Sequence, residues 1–380
     1  MENPFKYGGI VRGPYFADRR NEIKELKREM LNLNRVFLVS PRRFGKTCLL
    51  LNLIKMLERE AMACVYIDLN AFPDIRSFAA AVTCLSTRAL ETNKDRLLGL
   101  FAGFQKLRPK VTVDPDGKIS AGLELAVAEK DAISALLEGM QHAEDLAAKK
   151  KRNLVVIIDE FSDLDKFNGR AIEKALRSEI QKQTHIGYIF SGSEQSTMLA
   201  MTREPTRAFY KLGRIMELGP IPRKTYASFI EKWLKKGAYT VDKNDLTRIF
   251  EIGNDVPYNI QRMCSVMWDS ARDAKVIQPA LIEKLPAIVA RQDSPHYEML
   301  WRAASQSQKI LLIALSQDQA AKPFSKDFQL THGIGPSSSI KASLDSLLKK
   351  GILYKTLQGE YRFTDGFMPY WIGDILKTIG

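Results

Sequence analysis

Cysteine and histidine are scarce in this chain of 380 residues, four of each, and their spacing excludes more than it suggests. Cys48, Cys64, Cys84 and Cys264 form no CxxC pair and sit in apolar stretches, so buried, reduced thiols are expected rather than a disulfide framework or a zinc site. His142, His185, His296 and His332 are scattered without metal-ligand spacing. No apolar run approaches the ~20 residues of a membrane span. The opening MENPFKYGGIVRGPYFADRR lacks the apolar stretch of a signal peptide, and together these absences predict a cytoplasmic protein with no membrane partner. A bias toward disorder is missing too: 45% hydrophobic and 27% charged residues is the balance of a globular chain with room for two or three cores. Positive charge is in excess, with 57 Lys and Arg against 44 Asp and Glu and a formal net charge of +13. That excess favours anionic partners, nucleic acid first among them, and equally fits a solvated basic surface.

The most informative stretch is VFLVSPRRFGKTCLL, Val36 to Leu50. A short β-branched run, Arg35 to Val39, precedes it, and Lys46 to Glu60 carries Leu and Ile at helical spacing, giving a strand, a loop and a helix in that order. The phosphate-loop pattern GxxxxGK[ST] is met at Gly45, Lys46 and Thr47, with Ser40 in place of the first glycine. Such a loop (Ser40, Pro41, Arg42, Arg43, Phe44, Gly45, Lys46, Thr47 and on to Cys48) needs converging backbone N–H groups and a helix N-terminus for phosphate. It also needs a lysine for the β/γ oxygens and a hydroxyl for Mg²⁺. Serine is small, and Pro41 pushes it toward an extended conformation that it adopts without strain, so the exchange is tolerable. It still bears on the rate of hydrolysis.

A tripeptide GK[ST] is weak evidence alone; the stretch NLVVIIDE, Asn153 to Glu160, strengthens it. A fully apolar strand suits a parallel sheet covered on both faces, and its two terminal acids fall where such sheets bind ligands. Asp159 is therefore expected to hold the Mg²⁺ shell with Thr47, and Glu160 to polarise an attacking water. A third strand, Ile186 to Ser191, runs into Gly192 and Ser193. Either Ser191 or Ser193 could sense the γ-phosphate, or Ser193 could simply cap the helix that follows. Between the second strand (Ala63 to Leu69) and the acidic strand lies a long helical insertion near 93–150, in which KVTVDPDGKISAGLEL reads as a hairpin turning at Asp116-Gly117.

With Ser40 to Thr47, Asp159-Glu160 and SGS at 191 to 193, the chain resembles the archaeal and bacterial branch of the STAND ATPases, relatives of AAA+ proteins and of archaeal replication initiators. The likeness runs over essentially the whole chain. It implies an α/β P-loop NTPase domain with a parallel sheet over 1–218, a helical lid over 219–293 and a C-terminal winged helix over 294–380, with ATP and Mg as cofactors. The family's FxGRExE pattern appears as FADRRNE, which implies that Phe16 and Arg19 border the adenine. Its yGR element appears as FYKLGRIMEL, placing Arg214 where an arginine can reach a γ-phosphate in its own or a neighbouring subunit; a salt bridge at the domain boundary is the equal alternative. GNDVPYNIQRMC resembles the lid's GxP signature, with Gly253 and Pro257 matching at a wider spacing. Val256 and Pro257 stand where AAA+ relatives often carry a nucleotide-sensing arginine, which implies a switch with slow ATP hydrolysis rather than a motor.

From Trp301 on, apolar helices are predicted over Ser307 to Leu315, Ser325 to Thr331 and Pro336 to Lys350, the last capped by its serines, followed by a two-stranded wing around QGE. Three helices and a hairpin make a winged helix, closed here by TDGFMPYWI where the family more often has TDP. Ser337, Ser338, Ser339, Lys341, Lys349, Lys355 and Arg362 suit phosphate contacts with double-stranded DNA; Asp345 and Asp365 oppose them. Partners thus remain ATP/ADP with duplex DNA, a second copy of the chain or another protein.

Overall fold

The structure is a computed structural model and describes residues 1–17, 19–91, 107–113, 119–125, 131–167, 169–318, 322–356 and 359–379. The chain divides into two compact units, Arg19–Pro41 with Gly45–Gly219, and Met1–Asp18 with Arg42–Phe44 and Pro220–Gly380.

The first unit is built on five parallel strands. β1 (Arg35–Val39), β2 (Ala63–Asp68), β5 (Leu154–Asp159), β6 (Ile186–Gly192) and β7 (Arg214–Glu217) lie in the order β2-β5-β6-β1-β7. Every residue of LVVIID and of IGYIFSG is buried, so both faces of the sheet need cover. Helices α1 (Arg20–Leu31), α2 (Lys46–Arg59), α3 (Ile75–Leu90), α4 (Ala132–Lys150), α5 (Gly169–Ile180) and α6 (Gln195–Arg203) belong to the same unit. Phe37, Phe161, Phe190 and Phe209 pack ring to ring beside the sheet, with the Phe161 and Phe190 centroids 4.5 Å apart. The expected hairpin is present as antiparallel β3 (Leu107–Val113) and β4 (Ile119–Leu125); its turn at Asp116-Gly117 lies outside the described residues.

The register fixes what meets at the carboxyl edge of the sheet. Val39 pairs with Gly192, and Asp68 with Asp159, so the ends of β1, β6, β5 and β2 converge there. β6 lies between the phosphate-loop strand and the acidic strand, which puts Ser191 to Ser193 between the loop and the acids. β7 was not foreseen as a strand: it has four residues, only one of them buried, and a short edge strand carries no clear alternation. It enters through Gly213, where a Cβ would stand 2.3 Å from the Arg35 carbonyl oxygen, so only glycine admits the close approach.

The second unit is almost entirely helical: α7 (Arg223–Lys236), α8 (Lys243–Ile252), α9 (Pro257–Ser270), α10 (Pro279–Gln292), α11 (Ser294–Arg302), α12 (Gln306–Gln317), α13 (Lys326–Thr331), α14 (Ser337–Lys349) and α15 (Met368–Ile379), with the wing formed by β8 (Leu353–Lys355) and β9 (Tyr361–Phe363). Helices α7 to α10 and the segment from α11 onward share a single hydrophobic core, in which Met263, Trp268 and Leu285 cluster with Leu311, Leu344, Phe367 and Trp371. The N-terminal segment joins it. Asn3 donates to the Ser265 carbonyl at 2.9 Å, and Phe5 meets Trp268 edge-on. Two serines cap as serines should: Ser305 makes a full capping box on α12, and Ser325 accepts from the Phe328 N–H. The expected serine cap of α14 is not formed, because Pro336 occupies the capping position and the serines fall inside the first turn.

Candidate active site

Asp159 is 2% exposed and Lys46 6%, and the site is organised around their contact. Gly45 takes φ +83, a left-handed conformation that starts α2 and costs a side chain about 1 kcal/mol or more, with no atom within 4 Å of where a Cβ would point. Helix α2 begins at Lys46, so its first free N–H groups and positive end face the loop. Ser40 is fully buried, is not among the left-handed residues, and its N–H donates to the Gly192 carbonyl at 3.2 Å. Its hydroxyl donates to the Pro41 carbonyl at 3.1 Å. The bend that usually asks for glycine is made here without positive φ.

Lys46 Nζ lies 2.7 Å from Asp159 Oδ1 and 2.9 Å from Glu160 Oε1. Asp159 Oδ1 also accepts from the Ser191 hydroxyl and from the Glu160 N–H at 3.0 Å. Its other oxygen, Oδ2, accepts from Thr47 Oγ1 at 3.1 Å and from the Tyr66 hydroxyl at 2.7 Å. Glu160 has φ +51 and is held at its second oxygen by the Ser193 hydroxyl at 2.8 Å. Burial pushes the Asp159 carboxyl up, but the charge of Lys46 and hydrogen bonds from Lys46, Ser191 and Tyr66 outweigh it and hold the group below the usual carboxylate range. Burial, then the nearby Asp159 charge, pushes the Tyr66 phenol well above its ordinary value. Burial also raises Asp68, with the charges of Asp159 and Glu160 adding to it.

The two serine candidates thus take different partners: Ser191 serves Asp159 and Ser193 serves Glu160. Ser193 does not cap α6, whose capping position is Glu194. Cys48 sits half-buried in the first turn of α2. Arg214 is placed elsewhere. It pairs with Val36 at the start of β1, three residues before Glu217 reaches Val39, or about 10 Å from the carboxyl edge. Its guanidinium is held by Glu25 and by Glu29 at 2.9 Å, both on α1 of the same unit. Arg19 is 3% exposed and pairs with Glu22 at 2.8 Å. Phe16, Pro257 and Arg42–Phe44 belong to the second unit. There Arg43, at φ +71, pairs with Asp365 at 3.1 Å and lies over the Tyr258 ring at 4.8 Å.

Tyr66 and Asp68 were missed because an aromatic within ACVYIDL reads as core. The available clue was that this strand, like NLVVIIDE, ends in an acid, and parallel strands ending alike bring those acids together. Among the described residues no group of three or more His, Cys, Asp or Glu could hold a metal. Thr47 Oγ1 and Asp159 Oδ2 are hard oxygen donors at a helix N-terminus, which fits Mg²⁺, an ion that fills its remaining positions with water and phosphate oxygens.

Comparison with known proteins agrees with this architecture. Residues 295–374 match a probable winged helix domain. Among curated proteins none matches the chain. A Walker-type ATPase of Pyrococcus abyssi has the same fold at 15% identity, with a TM-score of 0.64 over 97% of this chain and 99% of that one. The ORC2 protein of Aeropyrum pernix, solved in ADPNP–ADP complexes, is 13% identical with a TM-score of 0.55 over 99% and 98%. ORC1 of the same organism, solved with DNA, is 12% identical with a TM-score of 0.52 over 96% and 93%. No helix among the described residues is long and apolar enough to cross a membrane. Residues 16–263 match the ATPase domain found predominantly in Archaea, and the chain belongs to that family of P-loop ATPases.

Proposed function

We propose that the protein binds ATP with Mg²⁺ and hydrolyses it slowly, using the bound nucleotide to control its conformation. One observation carries this reading: Lys46, Thr47, Asp159 and Glu160 are linked by direct contacts at the carboxyl edge of a parallel sheet. Thr47 and Asp159 would hold the ion, which when bound neutralises charge on the β- and γ-phosphate oxygens. Lys46 supplies a positive charge for those same oxygens, and the N–H groups at the start of α2 cradle them. Glu160 accepts a hydrogen bond from the attacking water, and Ser193 fixes the direction of its carboxylate. Ser191 and Lys46 keep Asp159 ionised. Slow turnover fits the likeness to AAA+ relatives: Val256 and Pro257 stand where those often carry a nucleotide-sensing arginine.

Calorimetry with ATP and with ADP, followed by turnover of wild type and Glu160→Gln, tests the proposal. Uptake of both nucleotides and a fall in turnover of about 100-fold or more are expected. A folded protein that takes up neither nucleotide rules the reading out, and equal turnover removes Glu160 from the chemistry.

A second reading, contact with duplex DNA through the winged helix, is favoured by the exposure of Lys341 and Lys349 on α14 and Lys355 in the wing. Two other groups are engaged: Arg362 pairs with Glu360 at 2.8 Å, and Asp365 with Arg43. Affinity should fall steeply with salt and drop on charge reversal at Lys341 and Lys355; salt-insensitive binding, or none, excludes it. Assembly into a homo-oligomer is checked by light scattering with ATP and with ADP, where equal masses would exclude nucleotide-controlled association.

A further inference from the structure

Tyr66 has no part in the chemistry just described, yet its hydroxyl makes one of the best contacts in the site. Tyr66 and Asp68 lie two apart on β2, opposite Ile157 and Asp159 of β5, so all four side chains project from one face of the sheet. From Tyr66 to Asp159 is the diagonal step across parallel strands, which an aromatic side chain can span. It does so here at 2.7 Å, onto Asp159 Oδ2.

The two oxygens of Asp159 are thereby assigned. Oδ1 takes Lys46, Ser191 and the Glu160 N–H. Oδ2 takes Thr47 Oγ1 at 3.1 Å and Tyr66. Thr47 can offer an oxygen lone pair to a cation only while its proton points away, and Oδ2 is the acceptor that holds the proton there. Rotation of the carboxylate would break that arrangement. The groups on Oδ1 pull from one side only, and Tyr66 is the second anchor.

We infer that Tyr66 is a positioning residue for the Thr47–Asp159 pair and sets the Mg²⁺ affinity of the nucleotide-loaded site. The inference rests on the reading of the site as a nucleotide and Mg²⁺ site. Tyr66→Phe keeps the ring and removes the donor. Binding of ADP by the full-length protein is measured by calorimetry in excess EDTA, and then across a Mg²⁺ titration. The expected result is metal-free ADP affinity within about 2-fold of wild type and a half-saturating Mg²⁺ concentration raised about 10-fold, the scale on which partners of a ligating group act.

In the background of Asp159→Ala the same substitution should have little further effect on Mg²⁺ dependence, because the acceptor is already gone; a merely structural tyrosine would act equally in both backgrounds. Tyr66→Met, of similar bulk and also without a hydroxyl, repeats the measurement should Tyr66→Phe misfold. An unchanged Mg²⁺ requirement, or an equal loss of affinity with and without the metal, overturns the role of Tyr66 while leaving the site reading intact. No ADP uptake by the unaltered protein overturns both.

Discussion

Lys46→Ala should damage the fold as well as nucleotide binding. Lys46 is the cation beside Asp159, which is 2% exposed, and beside Glu160. Removing one member of a buried ion pair costs about 3–5 kcal/mol because the other is left charged and poorly solvated. Asp159 keeps Ser191, Tyr66, Thr47 and a backbone N–H, so the lower end, about 3 kcal/mol, is expected. For a domain of about 200 residues each kcal/mol moves Tm by roughly 2–4 °C, giving a drop of roughly 6–12 °C. The sign of the pH dependence follows from the same contacts. In the wild type Asp159 titrates below its ordinary value, so its contribution is full at neutral pH and is lost as pH falls through the lowered pKa. Without Lys46 the largest influence opposing burial is lost, so that pKa should rise, and the penalty on the charged form disappears as the carboxyl takes up a proton. The gap between wild type and variant should therefore narrow from pH 7.5 toward about pH 4. Melting followed by circular dichroism without added nucleotide reads both numbers, and Asp159→Asn in the variant should restore most of the loss. A melting point within about 2 °C of wild type, or a deficit of the same size at both pH values, would mean that Lys46 does not neutralise the acids.

Ser193→Ala leaves Glu160 Oε2 with only the longer bond from the Ser193 N–H, at 3.3 Å; turnover should fall roughly 10-fold with ATP affinity unchanged, and single-turnover kinetics would show whether the chemical step is the one slowed. Arg214→Ala removes an exposed pairing with Glu25 and Glu29, so denaturant melts should shift by about 1 kcal/mol or less and turnover should stay at the wild-type level. A large loss of turnover there, rising with protein concentration, would instead assign Arg214 to a neighbouring subunit's site. Glu144 lies on α4, and burial pushes its carboxyl up, but the Thr184 and His185 N–H groups, with their side chains, draw it below its ordinary value. Its contribution is therefore present above that value and lost as pH falls through the lowered one, so Glu144→Gln should destabilise by about 1–2 kcal/mol at pH 7 and by little near pH 3.

The central sheet was legible because β1, β5 and β6 are largely apolar and buried runs that lead into the phosphate-loop motif, the acid pair and the serines, a pattern that solvent-exposed strands do not produce. The hairpin was legible from the two alternating runs on either side of Asp116-Gly117 in the sequence. What escaped depends on partners distant in sequence. Tyr66 looks like any strand aromatic until the register brings Asp159 within reach, and Ser191 and Ser193 could be told apart only by which carboxylate each meets. Arg214 sits in a motif whose glycine is needed for packing against Arg35, so the motif's presence alone could not say whether the arginine faces phosphate. Pro336 likewise displaced the serines expected to cap α14, since the residue with the extended backbone takes the capping position whatever its side chain.

The continuous apolar interior running from Phe5 through Trp268 and Leu285 to Trp371 has a mechanical corollary. A cut between Asp293 and Ser294 would strip water-shy surface bare on both pieces, since Tyr297, Leu311 and Trp371 lose neighbours such as Leu285 and Val289, and neither fragment should remain dispersed alone. Residues before and after Asp293 thus form one folding unit, and the amino-terminal strap is part of it.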